Sequence, residues 1–274
     1  MSSTGRCFSI GNTTAKSLHT FARRQTLFAT KHNLELEQMD HLFDKELLQK
    51  FQLYCSETEE VGNGALMRLA PVPLFFYRFP EYAVEYSGRS GQITHGDMDV
   101  YDACRYFGAL IVGALHGYKK EQLLDIDFYK KHMPWFCGKR LYDGIKAITQ
   151  GSYQRRGRYL DGIRGKGYIV DSLEAALWAF WSDENSFEKG ALAAVNLGDD
   201  TDTTAAIYGQ LAGAYYGYKN LPQHWIKYVY AKNFLLNVSK WIAYEGAKWQ
   251  PLDTTTPPIL LPNFQIPSKS KQDS

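Results

Sequence analysis

Asn196-Leu197-Gly198-Asp199-Asp200-Thr201-Asp202-Thr203-Thr204 gathers three aspartates and three threonines into nine residues. Asp200 and Asp202 alternate, and the Thr203 hydroxyl lies beside them, so the segment offers a cluster of hard oxygen donors. Such donors suit Mg²⁺, Ca²⁺ or Mn²⁺ rather than zinc. The same residue types also cap helices by accepting the free N–H groups of a first turn. On residue types alone the two readings carry equal weight. Downstream, Ala205, Gly209 and Gly213 recur at i, i+4 and i+8 and share one helix face, which would let a neighbouring backbone come close. Gly217 is a natural stop. The spacing predicts a helix that starts near Asp202 or Thr203, with oxygen ligands at its entrance.

Three other stretches have residue types suited to chemistry. Gly62-Asn63-Gly64-Ala65-Leu66-Met67-Arg68-Leu69-Ala70-Pro71 opens on two glycines around an asparagine. That loop allows tight backbone conformations and close approach of a ligand, and the N–H groups after it can cradle an anion. A plain turn is the simpler reading of the loop, as core packing is of Met67 and a structural ion pair of Arg68. Thr94-His95, at the head of a further helix, offers an imidazole that either packs the helix start or meets a ligand. Arg155-Arg156-Gly157-Arg158, continued by Arg164 and Lys166, is the one compact basic run, and a solvated loop is its simpler reading.

Taken together, these motifs resemble the ADP-ribosylglycohydrolase family of the dinitrogenase-reductase-activating glycohydrolase type. Asn196 to Thr204 with Gly209-Gln210-Leu211-Ala212-Gly213-Ala214-Tyr215-Tyr216-Gly217 is similar to its long, ordered signature. Gly62 to Pro71, Thr94-His95 and Gly165-Lys166-Gly167-Tyr168-Ile169-Val170 with the helix after it are similar to further family motifs. The resemblance implies an all-α fold in which two Mg²⁺ ions, or Mn²⁺ in their place, hold the ribose of ADP-ribose. It implies Asp200, Asp202 and Thr203 as metal ligands and Gly62, Asn63, Gly64, Met67, Arg68 and His95 as ADP-ribose-binding residues. The implied reaction is hydrolysis of the glycosidic bond between ADP-ribose and an arginine or serine side chain, or a small acceptor. Positive charge builds at the anomeric carbon as that bond breaks.

Three departures stand out. The family's Gly-Asp-Ala-x-Gly helix and Thr-Asp-Asp-Thr loop, which supply the remaining metal ligands and an acid implicated in catalysis, occur nowhere in the 274 residues. No catalytic residue is therefore assigned, and the chain reads as N-terminally incomplete with respect to the family. Ser9 also replaces an aspartate in Phe8-Ser9-Ile10-Gly11-Asn12-Thr13-Thr14, and Asp199 stands where many relatives have glycine. Three functions follow: a hydrolase, an ADP-ribose-binding pseudoenzyme, and a crystallin-like structural protein on the same scaffold.

Composition narrows the class. A formal net charge of +2 gives no pull toward nucleic acid or an anionic membrane. Cys7, Cys55, Cys104 and Cys137 lie far apart with no CxxC pair, which argues for reduced thiols rather than zinc or a disulfide framework. No apolar run is long enough to cross a bilayer and no signal peptide is visible, so a cytoplasmic location is expected.

The elements that must position these residues read as helices. Asn12 or Thr13 can cap a helix with Leu18, Phe21, Ala22 and Phe28 on one face. Leu36, Met39, Phe43, Leu47 and Phe51 mark a second. Val72–Tyr86 reads as one helix or two short ones. Val100, Cys104, Phe107, Ile111 and Ala114 line a helix that Gly117 ends. Asp171 and Glu174 form a capping box ahead of Leu173, Ala176, Leu177, Phe180 and Trp181. Ser186 can cap a short helix with Ala191, Leu192 and Val195 inward, and Pro222 starts a broken helix that Gly246 can end. Only Tyr168–Val170 looks strand-like. The expectation is one all-α domain, an orthogonal multi-helix bundle over residues 5–250, with a Pro/Ser/Lys-rich tail over 251–274.

Overall fold

The computed structural model describes residues 10–42 and 44–251. Cys7, Phe8, Ser9, Phe43 and the tail from residue 252 lie outside the described residues, so the expectations placed on them have no structural counterpart. The helices are α1 (Asn12–Lys31), α2 (Lys45–Lys50), α3 (Gly64–Met67), α4 (Pro71–Phe76), α5 (Pro80–Gln92), α6 (Met98–Leu115) and α7 (Lys120–Leu123). They continue as α8 (Phe128–Lys131), α9 (Asp143–Thr149), α10 (Ile169–Trp181), α11 (Phe187–Val195), α12 (Thr201–Tyr216), α13 (Gln223–Ile226) and α14 (Lys232–Lys248). Among the described residues the only extended pairing is an isolated antiparallel bridge between Gly62 and Tyr168. The all-α expectation holds, and no described helix is long and apolar enough to cross a membrane.

The centre of the bundle is α6. Residues 99–114 are buried on every side, as a helix hydrophobic all round must be. Two of its charges pair: Arg105 Nη1 donates to Asp102 Oδ1 at 2.8 Å, and both side chains are 1 % exposed. Arg105 Nη2 donates to Phe136 O at 2.8 Å, and the Tyr142 N–H donates to Asp102 Oδ2 at 2.6 Å. This buried pair fixes the connection through α8 and α9 to the side of α6. α5 packs along α6 through small residues. A Cβ on Gly88 would lie 2.5 Å from the Tyr101 ring, and one on Gly108 2.4 Å from Ser87 Oγ.

That seam corrects one expectation. Ala205, Gly209 and Gly213 do not admit a neighbouring backbone: a Cβ on Gly209 or Gly213 would meet nothing within 4 Å. Instead α12 buries Thr203, Thr204, Ile207, Tyr208, Leu211 and Ala212 against α3, α6, α10 and α11. The larger side chains supply more apolar area to remove from water, so they take the inner face. α12 starts at Thr201, one residue ahead of the anticipated Asp202, and Gly217 at φ +73° stops it after Tyr216 as anticipated.

Other boundaries shift for local reasons. The N-cap of α1 is Gly11, and the Thr13 hydroxyl is spent on Glu60. Leu18 is 52 % exposed, and the inward face runs through Ser17 and Ala29 with Phe21 and Phe28 partly covered. The predicted second helix splits into a 3-10 turn (Leu36–His41) and α2, and Phe51 turns back edge-on to Phe21 and Phe28. α4 and α5 realise the two short helices, each with proline at its start. α10 begins at Ile169, so Asp171 and Glu174 form no capping box; Glu174 accepts from Ser152 and faces Arg155. Backbone pairing with residues 61–63 takes the place of the cap. Ser186 caps α11 by accepting from the Lys189 N–H, but the inward residues are Gly190 and Ala194, while Leu192 and Val195 are exposed. Gly190 faces Tyr208, whose hydroxyl a Cβ would overlap at 2.3 Å.

Gly246 does not end α14. The helix continues to Lys248, and Gly246 is buried where a Cβ would lie 2.4 Å from the carbonyl oxygen of Phe75. Because that obstacle is backbone of α4, it cannot swing aside. Gly246→Ala should destabilise the fold by about 1–3 kcal/mol, the usual range for overpacking, and a denaturant titration checks it. An unchanged midpoint would show that α14 can shift freely on α4.

Candidate functional site

Two segments far apart in sequence build the site. The first is the turn before α12. Gly198 has φ +95° and Asp199 φ +61°, so both adopt the left-handed region that favours glycine, with Asp among the tolerated exceptions. The Asp200 N–H donates to Gly165 O at 2.7 Å, and the Thr204 hydroxyl donates to Asp200 O at 2.9 Å. Asp200 is the N-cap residue, yet its side chain makes no capping bond. Instead Oδ2 accepts from Asn63 Nδ2 at 2.7 Å. Plain capping therefore does not account for this carboxylate.

The second segment is the Gly62–Gly64 loop with α3. The Asn63 N–H donates to Gly167 O at 2.9 Å, and the Ile169 N–H donates to Val61 O at 3.0 Å. These bonds hold the loop against the head of α10. Met67 is 46 % exposed rather than core, and the Thr203 hydroxyl points at its sulfur at 3.9 Å. α12 also closes the end of α3: Gln210 Nε2 donates to the carbonyls of Leu66 and Met67 at 3.1 and 3.0 Å.

His95 packs beneath the loop. A Cβ on Gly62 would lie 3.1 Å from His95 Nε2, and one on Gly64 3.2 Å from Cε1. A side chain at either glycine would press on the imidazole, which would have to give by a few tenths of an ångström. Arg68 makes no ion pair among the described residues; its Nη2 donates to Thr94 Oγ1 at 2.7 Å and to Ser90 O at 3.0 Å. The Thr94 hydroxyl, taking that bond, has its own proton free for His95 Nδ1 at 2.7 Å, which leaves the ring proton on Nε2. Burial and the Arg68 charge push the His95 imidazolium down to about 4, so the ring is neutral near neutral pH.

The acids divide by role. Burial pulls the Asp200 carboxyl upward, but the hydrogen bond it accepts from Asn63, with its polar neighbours at the helix entrance, outweighs this and holds the group below the usual carboxylate range. Asp202 is exposed at the helix entrance, and its Oδ1 accepts from the Thr203 N–H at 2.8 Å. Asp199 turns away: Arg164 Nε and Nη2 donate to its two oxygens at 2.8 and 3.0 Å. Arg164 lies 4.0 Å over the Tyr159 ring, so this part of the basic run anchors its own loop.

Asp200, Asp202 and Thr203 are hard donors of the kind Mg²⁺ accepts while keeping several waters, so the residues present fit one such ion. They fall short of two. Among the described residues no group of three or more His, Cys, Asp or Glu could hold a metal, and Cys55, Cys104 and Cys137 are free thiols. The structure thus joins Asn63, Met67, Asp200, Asp202 and Thr203 directly, with Gly62, Gly64, Arg68, Thr94 and His95 adjoining. Thr94, Gly165 and Thr204 stood in the motifs without a role of their own, and Ser172 was not foreseen as part of this assembly. Ser172 carried one usable signal, a small polar residue beside the apolar positions of α10.

Comparison with known proteins bears on the family and the fold. The sequence profile of ADP-ribosylglycohydrolases covers residues 1–251. The chain is similar to the ADP-ribosylarginine hydrolase Tri1 of Serratia proteamaculans (strain 568), with 30% identity over 89% of this chain and 56% of the relative. It is similar to the ADP-ribosyl-[dinitrogen reductase] glycohydrolase of Rhodospirillum rubrum, with 26% identity over 61% of this chain and 50% of the relative. A solved ADP-ribosylglycohydrolase-related protein complex superposes with a TM-score of 0.63 at 25% identity, covering 87% of this chain and 82% of that one. The chain belongs to the ADP-ribosylglycohydrolase family. It spans about half the length of these two curated relatives.

The buried neutral imidazole gives a pH signature. The folded His95 takes up its proton only near pH 4, whereas in the unfolded chain it does so near the ordinary 6.5. Unfolded chains therefore bind more protons between those values, and acid favours unfolding. This contribution is full above about pH 6.5 and is lost as pH falls toward 4, on the order of 3 kcal/mol in all. Urea titrations at about pH 7 and about pH 4.5 should show a smaller acid loss for His95→Gln than for wild type. Equal losses would mean that His95 is already charged in the fold.

Proposed function

We propose that the chain binds the ADP-ribose moiety of an ADP-ribosylated arginine protein or small acceptor and acts in its hydrolysis. The observation that supports this most is the Asn63–Asp200 bond. It sets a carboxylate that is not capping its helix beside a glycine loop suited to close ligand approach. Asp200, Asp202 and Thr203 would hold one Mg²⁺ or Mn²⁺. When bound, the ion supplies Lewis acidity that orients ribose hydroxyls and acidifies a water. Gly62 and Gly64 bring backbone close to the ligand, while Met67 and Arg68 flank the loop. His95, held neutral beneath it, gives the ribose a polar but uncharged neighbour. Asn63 serves the acid rather than the ligand, since both of its amide protons face protein acceptors.

An ADP-ribose binder without turnover is the second reading, favoured by one observation. The described residues supply acids for one ion and none in the role of the family's catalytic acid. Release of ADP-ribose from an ADP-ribosylarginine peptide separates the two, with millimolar Mg²⁺ or with chelator. Mg²⁺-dependent release supports hydrolysis, and calorimetric binding of ADP-ribose without release supports the binder. Neither would defeat both and leave the structural reading. Asp202→Ala should weaken Mg²⁺-dependent ADP-ribose binding by at least about tenfold, since even outer-shell partners of metal ligands are worth that much.

A further inference from the structure

Ser172 is fully buried on α10, four residues past the bridge at Tyr168. Its hydroxyl has one proton to give and lone pairs to accept with. The Lys166 carbonyl, 2.5 Å away, can only accept, so the proton goes there. The oxygen then takes an N–H from Asn63 Nδ2 at 2.9 Å. The other N–H of the same nitrogen goes to Asp200 Oδ2 at 2.7 Å, with a long 3.4 Å approach to Lys166 O besides. A carboxylate cannot donate, so both neighbours of the amide demand its nitrogen. Reversing Asn63 would set its carbonyl against two acceptors, one of them charged. The polarity of the chain is thereby fixed from the Lys166 carbonyl outward to Asp200.

We propose that Ser172 is a positioning residue for the cation site. Acting through Asn63, it fixes which way the Asp200 carboxylate faces and so which oxygens remain for an ion. The inference rests on the reading of Asp200, Asp202 and Thr203 as cation ligands. Without the hydroxyl, one Asn63 N–H loses its acceptor, and a buried amide proton without a partner draws the side chain toward another. The Asn63 donor that holds Asp200 then keeps one anchor fewer, and the carboxylate is held less firmly. Outer-shell partners of this kind set ligand orientation, and their loss costs about 10–100-fold in metal affinity.

The test uses the full chain as wild type, Ser172→Ala and Ser172→Thr. Calorimetry with Mg²⁺ alone, and with Mn²⁺ alone, reads the affinity. NMR reads the Asn63 side-chain amide, assigned by its disappearance in Asn63→Ala. In Ser172→Ala the Asn63 amide protons should lose their protection from exchange, and Mg²⁺ affinity should fall about tenfold. The melting temperature checks that the variant stays folded, and Ser172→Thr, which keeps the hydroxyl, should restore both readouts. A Ser172→Ala protein with protected Asn63 protons, or with unchanged Mg²⁺ affinity, overturns the positioning role. Wild-type protein that binds neither ion overturns the cation reading itself. That result is distinct from a wild type and a variant that bind Mg²⁺ equally well, which defeats only Ser172.

Discussion

The hydrogen bond from Asn63 to Asp200 is the constraint on which the site depends. It joins residues 137 positions apart, and a bond to a charged acceptor is worth about 1.5–3 kcal/mol net. Its energy matters less than its demands. The loop carrying Asn63 must lie against the head of α10, which the pairing with Val61 and Gly167 secures. Gly62 and Gly64 leave room for the His95 ring, which packs close beneath them. The head of α12 must arrive at the right height, which the Asp200–Gly165 backbone bond and the Thr204 hydroxyl fix.

The scaffold supports this by disposing of charge elsewhere. α6 carries an aspartate and an arginine through the densest part of the core, and each satisfies the other. At the far ends of α10 and α12, Lys120 pairs with the fully buried Asp183, to which the Tyr216 hydroxyl also donates at 2.8 Å. Removing either member of such a pair would strand a buried charge. Arg164 pairs likewise with Asp199, so that of the three clustered aspartates only Asp200 and Asp202 make no ion pair among the described residues. The turn is of a kind that suits glycine at position 199. The backbone there is left-handed, and the ion pair with Arg164 offsets the strain that an aspartate brings.

Membership of the family rests on the profile match across nearly the whole chain together with the shared fold. The described residues offer one cation's worth of acids, and the two-ion chemistry implied by the resemblance calls for more carboxylates than these. The ADP-ribosyl ligand proposed for the site rests on that membership.

The sequence by itself determined the fold class, since helical periodicity and the near absence of alternating runs leave no route to a sheet. It also determined where α12 begins and ends, because a threonine-rich entrance and a glycine exit are local signals. It marked Gly62, Asn63, Gly64, His95, Asp200, Asp202 and Thr203 through motif and spacing. Only the tertiary structure decided what those residues do to one another. Periodicity cannot tell which face of α12 or α11 turns inward when both are small or apolar, so Gly209, Leu192 and Val195 were misplaced. A capping pattern at Asp171 was overridden by backbone pairing 108 residues upstream at Asn63. Above all, the donor direction that binds Lys166, Ser172, Asn63 and Asp200 into one line exists only where three separate segments meet, and no spacing along the chain encodes it.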